Sequence, residues 1–251
     1  MSEASRDLSD EEVRLLAGEM DRTGYAVLPG YVSAAQVDQA RAFVQQESAK
    51  RGNEYFAYVG PGPVAETLPG ELGGSHSFKR ILTRLYTMGT GKPAPSLPIY
   101  QVLRCVLGLR GLAESYRFHF DGYVVTALLP LVIPSGSGLT GDLLLFPNVR
   151  LVRRFGFLNV LEKGFYQNRF SQRVVGWLTR RDLVRPVVLR LVPGNIYLFW
   201  GYRSLHANAP CDVSRLRTTA LFHFGDPHSG SGLVGLVHSR ASGRGFGAGA
   251  G

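Results

Sequence analysis

Two histidines and one aspartate form the clearest chemical pattern in this sequence. His119 and Asp121 stand two residues apart, and His206 follows much later in the chain. Two imidazoles and one carboxylate are the facial ligand set that holds Fe(II) and leaves coordination positions open for oxygen and a co-substrate. On a strand, a spacing of two sends both side chains to the same face. The sequence therefore predicts a metal site at His119, Asp121 and His206.

Arg217 and Thr219 extend the pattern beyond the second histidine. A guanidinium binds a carboxylate through two parallel hydrogen bonds, and a 2-oxoglutarate co-substrate needs such an anchor at its far end. Thr219 shares a strand face with Arg217 and offers a hydroxyl donor. Arg215 is a rival anchor of opposite strand parity, which we interpret as a surface residue. His223 shares the parity of Arg217 and could face the cavity, but we interpret it as a core histidine.

Length and composition predict one folded domain over residues 1–242. The chain has 251 residues, of which 45% are hydrophobic and 19% are charged, so a sizeable core is expected. Residues 243–251 are mostly Gly and Ala and predict a disordered tail. Two cysteines are too few for a disulfide framework, and the polar N-terminus has no secretory segment, so we expect a cytoplasmic protein. The longest apolar stretch is too short to cross a membrane.

Sequence periodicity separates a helical beginning from a β-rich core. Two capping boxes open helices within residues 9–50. Strand-like segments and turns follow over about 99–225, which predicts a β-sandwich or barrel flanked by the helices. Residues 51–98 are rich in Gly and Pro and are interpreted as a long loop. Residues 149–185 interrupt the strands and predict a helical insert, which frames the pocket together with that loop.

The net charge of +9 is concentrated in the arginines of this insert. Charge runs are usually solvated helical surfaces. The other interpretation is attraction of an anionic substrate, a carrier or nucleic acid. No nucleic-acid-binding motif accompanies the arginines, so we favour a small anionic or zwitterionic substrate. Arg153 and Arg154 are expected to tune its affinity.

Three ordered segments match a known family. Residues 24–33 read GYAVLPGYVS, residues 118–121 read FHFD, and residues 193–200 read PGNIYLFW and lead to His206 and Arg217. In this order they resemble the strand and helix entry, the HxD motif and the distal histidine and arginine of the phytanoyl-CoA dioxygenase family. One departure is the strand after HxD, where the family's Gly-Ser-His ending is replaced at positions 148–150.

The resemblance implies a mainly β fold with flanking helices and a double-stranded β-helix core, also called a jelly roll or cupin-like core. It implies Fe(II) held by His119, Asp121 and His206, with 2-oxoglutarate on Arg217 and O2 as the other co-substrate. In related halogenases the position of Asp121 is a small residue that leaves room for chloride. A carboxylate there favours hydroxylation or another oxidation.

We therefore predict a hydroxylase-type dioxygenase that oxidises a small molecule, such as an amino acid or a natural-product intermediate. Two alternatives stay open. One is a cupin-like binding protein without turnover, which the complete set of ligand and anchor residues argues against. The other is a demethylase that acts on a macromolecule, for which the Arg-rich insert is the only support.

Overall fold

A computed structural model describes residues 6–136, 138–150 and 169–226. These residues form two antiparallel sheets with helices around them. Among them, no helix combines the length and the apolar character that a membrane crossing requires. The elements, in chain order, are α1 (Asp10–Thr23), β1 (Tyr25–Leu28), α2 (Ala34–Lys50), β2 (Phe56–Val59), a 3-10 turn (Gly62–Val64), α3 (Leu68–Gly74), α4 (His76–Thr90), β3 (Tyr100–Val106), α5 (Gly108–Ala113), β4 (Val125–Val132), β5 (Leu143–Phe146), α6 (Arg169–Arg180), β6 (Val187–Leu189), β7 (Ile196–Phe199), β8 (Leu205–Asn208) and β9 (Arg217–Phe224).

The strands divide into a six-stranded and a three-stranded sheet. The larger sheet has the order β1-β7-β4-β9-β3-β2, and the smaller has the order β6-β5-β8. Neighbouring strands in both sheets run antiparallel. From β7 onward each strand lies in the other sheet from the strand before it, and β4 and β5 also lie in different sheets. This crossing between two sheets is the arrangement that the β-sandwich or barrel prediction requires.

Alternation along β9 gives the larger sheet two different faces. Ala220, Phe222 and Phe224 belong to the core that packs this sheet against the N-terminal helices. Thr219 and His223 point the other way and line a cavity between the sheets. Beside that cavity lies an inter-sheet core, whose buried members are Leu128, Leu143, Leu145, Leu189, Leu191, Tyr197 and Phe199.

The first two helices begin as the sequence predicts. The Ser9 hydroxyl accepts from the Glu12 amide while the Glu12 side chain accepts from the Ser9 amide. Ser33 and Gln36 repeat this reciprocal pair at the start of α2. Two of the amides that a helix start leaves without partners are satisfied in this way. Gly24 ends α1 with a φ of 94°, a conformation that glycine adopts without strain.

Residues 51–98 are not the long loop that the sequence predicts. They contain β2, a 3-10 turn and two helices. Helix α4 buries Phe78, Ile81, Leu82 and Leu85, a stripe at helical spacing that packs against the larger sheet. The prediction was wrong because the surrounding glycines and prolines hid this short stripe.

The apolar sequence of residues 118–133 predicts a long strand or a bent pair of strands, and the structure has a shorter strand. Only Val125–Val132 forms a strand, and the residues before it contribute an isolated bridge between His119 and His206. Within the predicted insert, the described residues contain the helix Arg169–Arg180. Residues 151–168 of that insert, including Arg153 and Arg154, and the predicted tail at 243–251 lie outside the described residues.

Candidate metal centre

His119, Asp121 and His206 meet where β8 runs beside the residues that precede β4. His119 and His206 exchange two backbone hydrogen bonds, each with an N···O distance of 3.0 Å. The two Nε2 atoms, of His119 and His206, lie 3.8 Å and 3.5 Å from the same Asp121 oxygen, Oδ1. One ligand atom from each of the three residues lies within 4.8 Å of the others. This spacing allows a single metal ion to contact all three side chains.

Backbone carbonyls orient both imidazole rings. Nδ1 of His119 lies 2.9 Å from the Arg117 carbonyl, and Nδ1 of His206 lies 3.1 Å from the Ser204 carbonyl. A carbonyl oxygen can only accept, so Nδ1 of each ring carries the proton in these contacts. When a ring is neutral, its Nε2 has the lone pair and faces Asp121. A fixed tautomer of this kind is what a metal-binding histidine needs.

Burial and charge favour the metal-binding ionisation states of His119 and Asp121, whereas they shift His206 toward its protonated form. Burial, together with His206, lowers the pKa of His119, so its ring is neutral at neutral pH. Burial alone would raise the pKa of Asp121, but His206 and His223 outweigh it and hold this pKa well below its ordinary range. Burial opposes protonation of His206, yet Asp121 raises its pKa. A metal cation would take the place of that proton.

The second oxygen of Asp121 is held by two residues that the sequence analysis did not assign to the site. Thr126 Oγ1 donates to Asp121 Oδ2 at 2.5 Å. His223 Nδ1 lies 3.5 Å from the same oxygen and 3.1 Å from Thr126 Oγ1. These contacts turn Oδ1 toward the two imidazoles. His223, which we interpreted as a core histidine, is buried and also faces the site.

The turn before His206 is fixed from both sides. The Asp21 carboxylate at the end of α1 accepts from Trp200 Nε1 at 2.9 Å and from Arg203 Nη1 at 3.0 Å. Between these residues, the Gly201 carbonyl accepts from the Asp121 amide at 3.0 Å. A Cβ on Gly201 would overlap Thr126 and lie 2.5 Å from Asp121 Oδ2. Only glycine leaves room for the carboxylate at this point.

Arg217 is a buried cation with unmatched donors. Its side chain is 1% exposed, and its Nη2 donates to Asn208 Oδ1 at 3.0 Å. Within the described part of the chain, Arg217 Nε and Nη1 have no hydrogen-bond partner. Burial, and then Arg104, lowers its pKa to about 10, so the guanidinium stays charged at neutral pH. Two unmatched donors on one buried cation suit a carboxylate.

Arg217 adjoins the cavity of the metal centre, whereas Arg215 does not. Asn208, the partner of Arg217, and Thr219 both line that cavity of about 60 Å³, together with the three candidate ligands. Arg215 lines a separate cleft of about 590 Å³ that none of the candidate ligands borders. Its guanidinium is 3.5 Å from the Ser135 hydroxyl. Arg215, which we interpret from the sequence as a surface residue, therefore lies apart from the three candidate ligands.

No protein-family model and no curated protein matches this chain. Solved structures do share its fold. A prolyl-4-hydroxylase from Pseudomonas putida is 13% identical with a TM-score of 0.53, over 85% of this chain and 98% of that chain. A prolyl 4-hydroxylase from Phytophthora capsici is 14% identical with a TM-score of 0.56, over 93% of this chain and 70% of that chain. SnoK, a non-heme alpha-ketoglutarate-dependent carbocyclase from nogalamycin biosynthesis, is 14% identical with a TM-score of 0.53, over 92% of this chain and 93% of that chain.

At these identities the similarity concerns the fold. The chain has the mainly antiparallel β architecture with flanking helices that the sequence predicts, and the jelly-roll core that the resemblance implies. The narrower resemblance to the phytanoyl-CoA dioxygenase family stays a prediction.

Gly201→Ala should weaken metal binding, because the added methyl displaces the Asp121 carboxylate. We expect a loss of roughly tenfold or more in Mn(II) affinity, as for other changes that misplace a ligand. The control is Gly18→Ala, at a helical position with open space around it. That change should stabilise the fold by about 0.5–1 kcal/mol and leave Mn(II) affinity unchanged. Calorimetric titration and thermal melting measure both, and normal Mn(II) affinity of the Gly201→Ala protein would refute this account.

Thr126→Val should also weaken Mn(II) binding, by roughly tenfold, because it removes the donor that holds Asp121 Oδ2. Thr218→Val is the matched control. Thr218 is equally buried, but it lies in β9 on the opposite face, with its hydroxyl 3.5 Å from the Cys105 sulfur. Equal losses of Mn(II) affinity in the two variants would show that the effect comes from the fold instead of the carboxylate.

Proposed function

We propose that this protein is a non-haem Fe(II)- and 2-oxoglutarate-dependent oxygenase of the hydroxylase type, which oxidises a small molecule. One observation carries the proposal. A complete His-Asp-His ligand set and a buried arginine with two unmatched donors adjoin the same cavity. A metal would satisfy the first feature and a carboxylate the second, and an Fe(II) site that binds 2-oxoglutarate needs both. The fold supports the proposal, because SnoK and the prolyl hydroxylases share it.

In this proposal, His119, Asp121 and His206 hold Fe(II), and Arg217 and Thr219 bind the far carboxylate of 2-oxoglutarate. When bound, the metal and 2-oxoglutarate would supply the oxidising chemistry: 2-oxoglutarate takes one oxygen atom of O2 and gives succinate and CO2, and the other oxygen atom oxidises the substrate. The chain's own contribution is position and exclusion of water. Apolar side chains wall the cavity around the polar groups, namely Leu128, Leu143, Phe199 and Leu221.

The carboxylate at position 121 supports hydroxylation or another oxidation over halogenation, since it occupies the place that a chloride would need. We keep an amino acid or natural-product intermediate as the substrate class, and the phytanoyl-CoA dioxygenase family as the narrower assignment. Residues 1–242 form a single oxygenase domain in this proposal. A binding protein without turnover is the weaker alternative, because the unmatched donors of Arg217 call for a second, anionic ligand beside the metal.

His119→Ala, Asp121→Ala and His206→Ala should each reduce Fe(II)-dependent succinate formation from 2-oxoglutarate to background. Removal of any one leaves two ligands, and three are needed to hold the metal with open positions. Thermal melting should show that the variants stay folded. His76→Ala is the control, because His76 lies at the start of α4, away from the metal centre, and should keep full activity. Normal succinate formation by the His206→Ala protein would rule out this ligand set.

Arg217→Lys should raise the KM for 2-oxoglutarate by about tenfold, and Arg217→Ala by about a hundredfold, since a hydrogen bond to a charged group contributes roughly 1.5–3 kcal/mol. Lysine keeps the charge but cannot copy the two-point contact of a guanidinium. Arg215→Ala should change the KM by less than about twofold, because Arg215 borders a different cleft. The reverse order of effects in a 2-oxoglutarate titration would mean that the wrong arginine has been assigned.

A further inference from the structure

Arg104 is a second guanidinium beside the metal centre, and the proposed reaction leaves it without a role. It lies in β3, where its Cα pairs with that of Thr219 in β9. Its neighbours Leu103 and Cys105 face the helices and belong to the core there. Arg104 therefore lies on the opposite face, where it lines the same cavity as His119.

One carboxylate tethers Arg104 without neutralising the local charge. Arg104 Nη2 donates to Glu114 Oε2 at 2.6 Å. The other oxygen of Glu114 accepts from Arg117, so one negative charge is shared by two guanidiniums. The Tyr55 ring lies beside the Arg104 guanidinium, 5.8 Å from its carbon. The tether fixes one edge of the guanidinium and leaves a net positive charge on this side of the cavity.

The remaining donors of Arg104 are not all satisfied. Its Nε is buried and, among the described residues, has no hydrogen-bond partner. A buried donor without a partner is costly by about 1–3 kcal/mol, and such atoms are rare in native folds unless a ligand completes them. Arg217 Nε and Nη1 are likewise buried and have no hydrogen-bond partner among the described residues. Arg104 in the cavity lining and Arg217 behind Asn208 thus both have nitrogens that lack acceptors among the described residues.

The charges around the cavity also favour an anionic ligand. Within the described part of the chain, Asp121 is the one acid among its lining residues, and the guanidinium of Arg104 opposes it. A divalent metal would more than neutralise Asp121. The remaining field is positive and attracts anions into a partly buried space, where screening by water is weak.

We infer that Arg104 is a second carboxylate anchor in this cavity, separate from the anchor at Arg217. The inference rests on the proposed function and deepens it. The recognised group is a planar carboxylate that accepts from the unmatched edge of the guanidinium. It belongs either to the metal-proximal end of 2-oxoglutarate or to the substrate that is oxidised, and binding experiments separate these two sources.

The test compares Arg104→Gln with Arg117→Gln. Both variants remove one guanidinium from Glu114, but Arg117 is 55% exposed and does not line the cavity. Mn(II)-loaded protein is titrated with 2-oxoglutarate by calorimetry without oxygen. Protein saturated with Mn(II) and 2-oxoglutarate is then titrated with benzoate, and with benzamide as the neutral match, by ligand-observed NMR. Arg104→Lys, which keeps a charge beside Glu114, is used if thermal melting shows that the glutamine variant is unfolded.

Two results support the inference. A loss of about tenfold or more in 2-oxoglutarate affinity for Arg104→Gln, with less than about twofold for Arg117→Gln, assigns the carboxylate to 2-oxoglutarate. Unchanged 2-oxoglutarate affinity with loss of benzoate binding, but not of benzamide binding, assigns it to the substrate.

Two other results overturn it. One is binding of both 2-oxoglutarate and benzoate to Arg104→Gln as to the wild type. The other is an equal loss in the Arg104 and Arg117 variants, which would show that the Glu114 pair only supports the fold. If the wild-type protein binds no 2-oxoglutarate, the proposed function fails, and the benzoate and benzamide titrations of protein loaded with Mn(II) alone then decide the role of Arg104.

Discussion

Two backbone hydrogen bonds between His119 and His206 bring together parts of the chain that are far apart in sequence. In an antiparallel pair of this kind the two Cα atoms are about 5.5 Å apart and both side chains leave on the same face. The imidazole centroids are accordingly 4.4 Å apart. The Asp121 carboxylate completes the set, with its Oδ1 directed toward the two imidazoles. The spacing of the three candidate ligands follows from the bridge, and the side chains refine it.

An isolated bridge is weaker than a ladder, so its surroundings have to hold it in place. Asp21 binds Trp200 and Arg203 on one side of the turn before His206. On the other side, the Gly201 carbonyl accepts from the Asp121 amide, and a Cβ at position 201 would overlap Thr126 and the Asp121 carboxylate. Helix α1 therefore contributes to the metal centre without lining it. The packing of the N-terminal helices on the larger sheet thus supports both the core and the turn.

Those parts of the fold and site that obey local rules could be predicted from the sequence. The capping boxes at Ser9 and Ser33 depend on residues three positions apart, and strand parity was enough to put Thr219 and His223 on one face. The apolar stripe of α4 has helical spacing but is short, and the glycines around it favour a loop prediction instead. The contacts of Asp121 with Thr126 depend on a bend after Asp121, where the strand that we predicted does not form. The position of Arg104 beside Thr219 depends on the pairing of β3 with β9, which no local sequence pattern contains.

The arginines that lie beside the cavity are not the ones that are concentrated in the sequence. The sequence concentrates arginines in the insert, and from the sequence alone they are the candidates for attracting an anion. In the structure, Arg104 and Arg217 stand beside the cavity itself, with buried nitrogens that lack acceptors among the described residues. Exposed charges act over a Debye length of about 8 Å at physiological salt and are screened beyond it, whereas buried charges are screened much less. A preference for anions that originates in the cavity therefore persists as salt is added, and one that originates in an exposed insert fades. The salt dependence of ligand affinity separates selection by the pocket from attraction to the surface.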